Sequence, residues 1–203
     1  MKQAFISMLD LQDKMNSKVH PEWQKQGYEW YRAIWTECAE LMDHHGWKWW
    51  KKQTPDTHQI KLEIVDIWHF GLSILLASGK PSDQLADELE SKWQSAGTTD
   101  NFLEAVEALA QDTLASKDFS VSLFCQLMEL SNFPFVELYH QYVGKNVLNF
   151  FRQDNGYKEG TYHKVWHGKE DNEHLAEILA SLDGTQDDLQ DIVYQSLQSR
   201  YPL

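Results

Sequence analysis

The stretch "KLEIVDIWHF", Lys61–Phe70, decides the fold. Leu62, Ile64, Val65, Ile67, Trp68 and Phe70 cover nearly the whole circumference of a helix, which is the pattern of a helix buried on most sides. Within it stand two carboxylates, Glu63 and Asp66. Residues three apart share a helix face, their Cβ atoms roughly 5–6 Å apart. Such acids are poor candidates for a solvated surface, because an unpaired charge among apolar neighbours is costly. The helix runs from about Asp56, with "TPD" as its start signal, to about Ser78, with "SGKP" as its stop.

Working back along the chain, a helix from about Tyr28 to His45 carries a second pair at the same spacing, Glu37 and Glu40, in "ECAELMDHHGWKWWKK", Glu37–Lys52. Gly46 ends that helix at a left-handed cap, and Asp56 or Thr57 starts the next. Both pairs then lie about 9–10 Å from the connection at 1.5 Å rise per residue. If the two helices pack antiparallel, the pairs are level and face each other. Four converging carboxylates repel unless a cation lies between them, and an oxygen-only ligand set suits Mg²⁺ or Mn²⁺. The plainer alternative is a solvated acidic face, since this spacing recurs by chance in acidic helical proteins. A rival metal reading uses Asp66 and His69 as the carboxylate-x-x-His unit of a di-iron bundle. The Glu37 helix has no matching unit, because Asp43 rather than a histidine follows three residues after Glu40.

The rest of the chain is also helical in period. Phe5, Met8, Leu9, Leu11 and Met15 line one side of a first helix. Further helices are expected over Ser82–Gln94, Asp100–Ser116, Val121–Leu130, Pro134 to about Arg152, Asp171–Ala180 and Gln186–Ser199. Residues 156–170 read as an ordered loop rich in glycine, lysine and aromatics. With 203 residues and 42% hydrophobic content, the expectation is one all-α domain over 1–203. The net charge of −13 argues against nucleic acid and anionic membrane as partners. No signal peptide or spanning segment is read, and Cys38 and Cys125 sit in apolar helical surroundings as free thiols, so a cytoplasmic location is expected.

Two cationic segments stand out against that acidity. "GWKWWKKQTPD", Gly46–Asp56, places Lys48, Lys51 and Lys52 among Trp47, Trp49 and Trp50; such lysines can meet phosphates and such rings can stack on a base, or the tryptophans simply cover the end of the bundle. From Lys145 to Lys169 there are five basic residues against two acidic ones. Lys145, Asn149 and Arg152 form one helical stripe leading into the lysine loop, either a phosphate clamp or a solvated face. Metal carboxylates, stacking rings and a cationic clamp together are what a nucleoside triphosphate requires, with hydrolysis by a metal-activated water as the simplest chemistry.

Taken together, "ECAELMDHHGWKWWKK", "EIVDIWHF" and "GKNVLNFFRQDNGYKEGTYHKVWHGKEDN" resemble the dimeric all-α dUTPases, within the MazG-like all-α nucleotide pyrophosphatases. The likeness spans the N-terminal third and residues 144–175; between about Pro81 and Tyr139 it extends to helical character only. It implies a rigid helical core plus a mobile helical region, a homodimer, and hydrolysis of dUTP and dUDP to dUMP. It also implies two or three Mg²⁺ ions held by Glu37, Glu40, Glu63 and Asp66. Gln12 and Asn16, four apart on the first helix, would read the uracil edge, and Trp47 would pack by the base. Lys145, Asn149, Arg152, Tyr157, Lys158 and Lys164 would contact phosphates or sugar, and Asn172 would help close the site. The other readings are a related pyrophosphatase with another base preference, a di-iron oxidoreductase needing His69, and a non-catalytic helical dimerisation module.

Overall fold

A computed structural model describes residues 1–95, 97–182 and 188–202. The chain runs α1 (Lys2–Val19), a 3₁₀ turn (Trp23–Lys25), α2 (Trp30–His45), α3 (Thr57–Ala77), α4 (Ser82–Gln94), α5 (Phe102–Ser116), α6 (Val121–Leu130) and α7 (Phe135–Asp154). A hairpin of β1 (Val165–Trp166) and β2 (Lys169–Glu170) follows, then α8 (Asp171–Ala180) and α9 (Leu189–Arg200). The architecture is an all-α helical bundle. Gln186 and Asp187, the first residues of the expected tail helix, lie outside the described residues.

The apolar helix is the centre, as its composition requires. α3 packs against α2, α1, α7 and α4, and Ile64, Ile67, Trp68 and Leu72 are fully buried. The Trp68 ring stacks on Phe124 at 5.0 Å and meets Phe5, Trp93 and Phe119 within 6.1 Å. Asp56 caps the start of α3, its carboxylate accepting from the backbone N–H of His58 and Gln59 at 3.2 and 3.1 Å.

The connection from α2 folds back on itself. The Asp56 N–H donates to the His44 carbonyl at 2.9 Å, and His44 Nε2 lies 3.4 Å from Glu63 Oε1. Earlier on α2, Glu37 lies beside Glu63 and Asp66, so contacts descend α2 as they climb α3, which defines an antiparallel pair. Gly46 ends α2, but not in the expected left-handed helical cap: its φ of 89° comes with a ψ of 102°. A Cβ there would lie 2.7 Å from Gln53 Cβ, so only glycine fits both the backbone and the neighbour.

The loop at 156–170 ends in the short hairpin, which the periodicity does not predict. Its turn residues His167 and Gly168 both have positive φ, 50° and 81°, as a two-residue turn of this hand requires. α8 packs against α7, and the hairpin's Trp166 meets Phe151 of α7 edge-on at 5.7 Å. Among the described residues no helix is long and apolar enough to cross a membrane.

Candidate active site

The antiparallel pairing brings the carboxylates together. Oxygens of Glu37, Glu63 and Asp66 lie within 4.8 Å of one another. Glu40 lines the same cleft wall but stands more exposed and outside that triplet. Burial, and then the nearby charge of Asp66, push the Glu37 carboxyl up to about 8. Burial, and again Asp66, raise Glu63 as well. The Glu37 and Glu63 carboxylates lie within 4.8 Å of each other, and their mutual repulsion adds to the rise. Acids held this close to their own repulsion form a site that a hard cation relieves, and their all-oxygen donor set fits a divalent ion. No histidine belongs to the group, among the described residues. His69 points elsewhere, its Nδ1 2.8 Å from Gln12 Oε1 and its ring stacked on Tyr142 at 4.3 Å, so the unit that a di-iron centre needs is not assembled. Cys38, beside Glu37, is no nucleophile: burial, then the Glu37 charge, push its thiol up to about 12.

The triplet opens on a cleft of about 680 Å³ whose far wall is cationic. Lys145, Arg152, Tyr157, Lys164 and Asn172 all line it, as the sequence leads one to expect. The buried Lys145 ammonium donates to Asp66 Oδ2 at 3.0 Å and to Asn172 Oδ1 at 3.2 Å. Arg152 is held by a residue that sequence reading missed. Its Nε and Nη2 both donate at 2.8 Å to Asp171, which is fully buried, and the Tyr162 hydroxyl donates to the same carboxylate at 2.9 Å. Burial acts to raise the Asp171 carboxyl, but the bonds and charge of Arg152 outweigh it and hold the group below the usual carboxylate range. His44, Gln59, Leu62 and Glu170 also line this cleft and were not anticipated. Periodicity assigns His44 to the helix end, and only the antiparallel pairing sets it beside Glu63.

A second cleft of about 230 Å³ adjoins the first, and Asp66 lines both. Gln12, Asn16 and Asn149 line it as polar groups. Its rings are Trp23, Tyr28, Trp30 and Phe70, with Trp30 stacked on Phe70 at 6.2 Å. Asn149 also accepts from Arg152 at 3.2 Å, which ties the two clefts together.

Two expected residues line neither cleft. Trp47 donates its Nε1–H to Asp43 at 2.9 Å and packs edge-on to Trp50. Lys158 donates to the Val19 carbonyl at 3.0 Å. Of the linker lysines, Lys48 pairs with Asp43, and Lys51 and Lys52 are exposed away from both clefts.

A family model described as dUTPase matches residues 4–157. That span contains both carboxylate pairs, Gln12, Asn16 and the Lys145–Arg152 stripe, and it includes the middle helices, for which the sequence reading found only helical character. It stops short of Lys158, Lys164 and Asn172. No curated protein matches the chain. The carboxylate triplet, the cationic wall and the small aromatic cleft are thus carried on a sequence that belongs to the all-α dUTPase family, whose reaction is the hydrolysis of dUTP to dUMP.

Proposed function

We propose that the enzyme uses Mg²⁺, with Mn²⁺ as a substitute, held by Glu37, Glu63 and Asp66 with Glu40 at the rim. The bound ion would neutralise phosphate charge and lower the pKa of the attacking water. The chain supplies the rest. Arg152, fixed by Asp171, presents its remaining N–H groups to phosphate oxygens; Lys145 and Lys164 add charge, and Tyr157 and Asn172 border the same space. Asn149 stands where sugar meets phosphate, between the two clefts. The base enters the aromatic cleft beside Asn16, and Gln12 stands behind it. Trp47 and Lys158 are left out of this assignment, because neither lines a cleft. dUDP would be a second substrate, since the metal and cation groups need only a diphosphate to grip.

The observation that carries this reading is the carboxylate triplet, within 4.8 Å, facing Lys145 and Arg152 across one cleft. The test is pyrophosphate release from dUTP, dCTP, dTTP and dATP, with Mg²⁺ and with EDTA, for wild type and Glu63→Gln. Release from dUTP alone is expected, abolished by EDTA and reduced about 100-fold or more by the substitution. Undiminished release in EDTA would refute the metal assignment.

By family resemblance we further propose a homodimer in a reducing, cytoplasmic setting, with residues 1–203 as one domain. The buried free thiols Cys38 and Cys125 and the single core shared by all the helices support that setting and that unity. Sedimentation at 23.8 kDa rather than twice that mass would sink the dimer.

A further inference from the structure

The last helix, α9, lines neither cleft and lies beyond the residues that the family model matches. Its end is nevertheless joined to the cationic wall. α9 packs on α7 and α8, and its last residue, Arg200, pairs with Glu177 of α8 at 2.8 Å. Tyr201 then leaves the helix in an extended conformation, its N–H on the Leu197 carbonyl at 3.0 Å. So placed, its side chain meets the 156–170 loop in two ways. The Tyr201 ring lies on the Tyr162 ring, the planes 7° apart and the centroids at 5.5 Å, an offset stack. Its hydroxyl accepts the His163 N–H at 3.1 Å. Phe151 and Trp166 meet the same ring edge-on at 5.3 and 5.0 Å.

We propose that Tyr201 is a positioning residue for the phosphate clamp: by holding the Tyr162 ring in place it keeps the Tyr162 hydroxyl on Asp171, and so keeps Arg152 turned to the cleft. This rests on the reading of Arg152 as a phosphate ligand and extends it to a helix with no residue in either cleft. The Tyr162 hydroxyl donates to Asp171 Oδ2, the same oxygen that accepts from Arg152 Nε. Burial, then the charge of Asp171, raise the pKa of this hydroxyl, so it remains a donor. Arg152 spends its Nε–H and one Nη2–H on Asp171, and one Nη1–H on Asn149. One N–H on each Nη is left for phosphate oxygens. Where those two point depends on the plane of the Asp171 carboxylate, because a bidentate pair aligns the two groups. The Tyr162 bond ties that carboxylate to the loop.

Backbone bonds at this point of the loop turn back on themselves. The Thr161 and Tyr162 N–H groups both donate to the Gly156 carbonyl, at 2.9 and 3.3 Å. They fix a turn and leave the direction of the Tyr162 side chain to its rotamers. The stack on Tyr201, with the Phe151 ring edge-on at 6.5 Å, selects among those rotamers. A ring cluster that only packed α9 against α7 would contribute stability and leave nucleotide binding untouched. The relay makes a different demand: grip on the nucleotide must weaken when Tyr201 is changed, and must weaken through the Tyr162 hydroxyl.

The experiment measures KM and kcat for dUTP, beside thermal melts, in wild type, Tyr162→Phe, Tyr201→Leu, Tyr201→Phe and the Tyr162→Phe/Tyr201→Leu double variant. Tyr162→Phe removes only the hydroxyl, and Tyr201→Leu keeps apolar volume without the stack. Each should raise KM about fivefold or more with kcat within about threefold of wild type. Tyr201→Phe keeps the ring and should hold KM within about twofold. The double variant should be no more than about twofold worse than the worse single one, because both changes break one relay. An unchanged KM in Tyr162→Phe, which retains every ring of the cluster, overturns the proposal, as does an unchanged KM in folded Tyr201→Leu or effects that multiply in the double variant. Should Tyr201→Leu not fold, hydrogen exchange in wild type decides. A clamp that depends on Tyr201 is no better protected than the His163 N–H that Tyr201 holds, so an Arg152 Nε–H exchanging far more slowly overturns the proposal. Arg152→Gln is the reference: an unchanged KM there would instead overturn the phosphate reading of Arg152, whereas a raised KM there beside wild-type values in the tyrosine variants sinks this inference alone.

Discussion

At the scale of single residues, the carboxylate triplet trades stability for function. Glu37 has its pKa raised from 4.5 to about 8, so the folded chain keeps a proton that the unfolded chain releases. Between those values the native state binds more protons, and stability falls as pH rises. EDTA-treated enzyme should therefore lose melting temperature between pH 5 and 8 through this group. Glu37→Gln, which removes the titrating carboxyl beside Glu63, should melt higher at pH 8 and show a flatter profile while losing nearly all activity. An identical pH slope in wild type and variant would show that the triplet is not strained. The same proton must leave when the metal binds, so metal affinity should rise with pH up to about 8. The acids themselves were legible in the sequence because they interrupt an apolar segment. Asp171 was not, because nothing local marks it: its partner, Arg152, lies 19 residues away.

At the scale of elements, that partnership joins α7 to α8. The pair is almost wholly withdrawn from water, with Asp171 side-chain exposure at 0% and Arg152 at 13%. Removing one member of such a pair leaves the other charge buried alone, a loss of about 3–5 kcal/mol. Asp171→Asn should lower stability by about that amount in urea denaturation and raise KM for dUTP, since Arg152 would no longer be held toward the cleft. Unaltered KM would mean that Arg152 does not meet the substrate. Because Asp171 titrates below its usual range, the pair's contribution is complete at neutral pH and is lost as pH falls below the ordinary carboxylate value. The helices were readable in outline: Asp56, Asn101 and Ser120 are side-chain caps, and Ser82–Gln94 and Val121–Leu130 fall where their periodicity puts them. The hairpin was not, since each strand has two residues and its turn is His-Gly rather than the usual Asn-Gly. The aromatic wall escaped for a related reason. Trp23, Tyr28 and Trp30 precede or open α2 and reach Phe70 only through packing, whereas Trp47 is the ring that the family resemblance sets by the base.

For the molecule as a whole, the two clefts meet at Asp66, and this makes metal and nucleotide binding interdependent. Lys145 now spends its charge on Asp66 at 3.0 Å. A divalent cation on the triplet would take over that neutralisation and leave the ammonium to phosphate oxygens, which the surrounding α7 and α8 hold in reach. Without the cation, an incoming phosphate meets three crowded carboxylates on a chain of net charge −13, and Lys145 can serve it only by abandoning Asp66. Coupling of this kind is reciprocal: the factor by which metal strengthens nucleotide binding equals the factor by which nucleotide strengthens metal binding. Calorimetric titration with a non-hydrolysable dUTP analogue should show affinity at least about tenfold weaker in EDTA than in Mg²⁺, a coupling of about 1.4 kcal/mol or more. Lys145→Gln removes the charge that is exchanged, so it should weaken nucleotide binding in Mg²⁺ and shrink the metal effect at the same time. Equal affinities with and without metal in wild type would mean that the carboxylates and the cationic wall act on separate ligands, and the single-site picture built on Asp66 would fail.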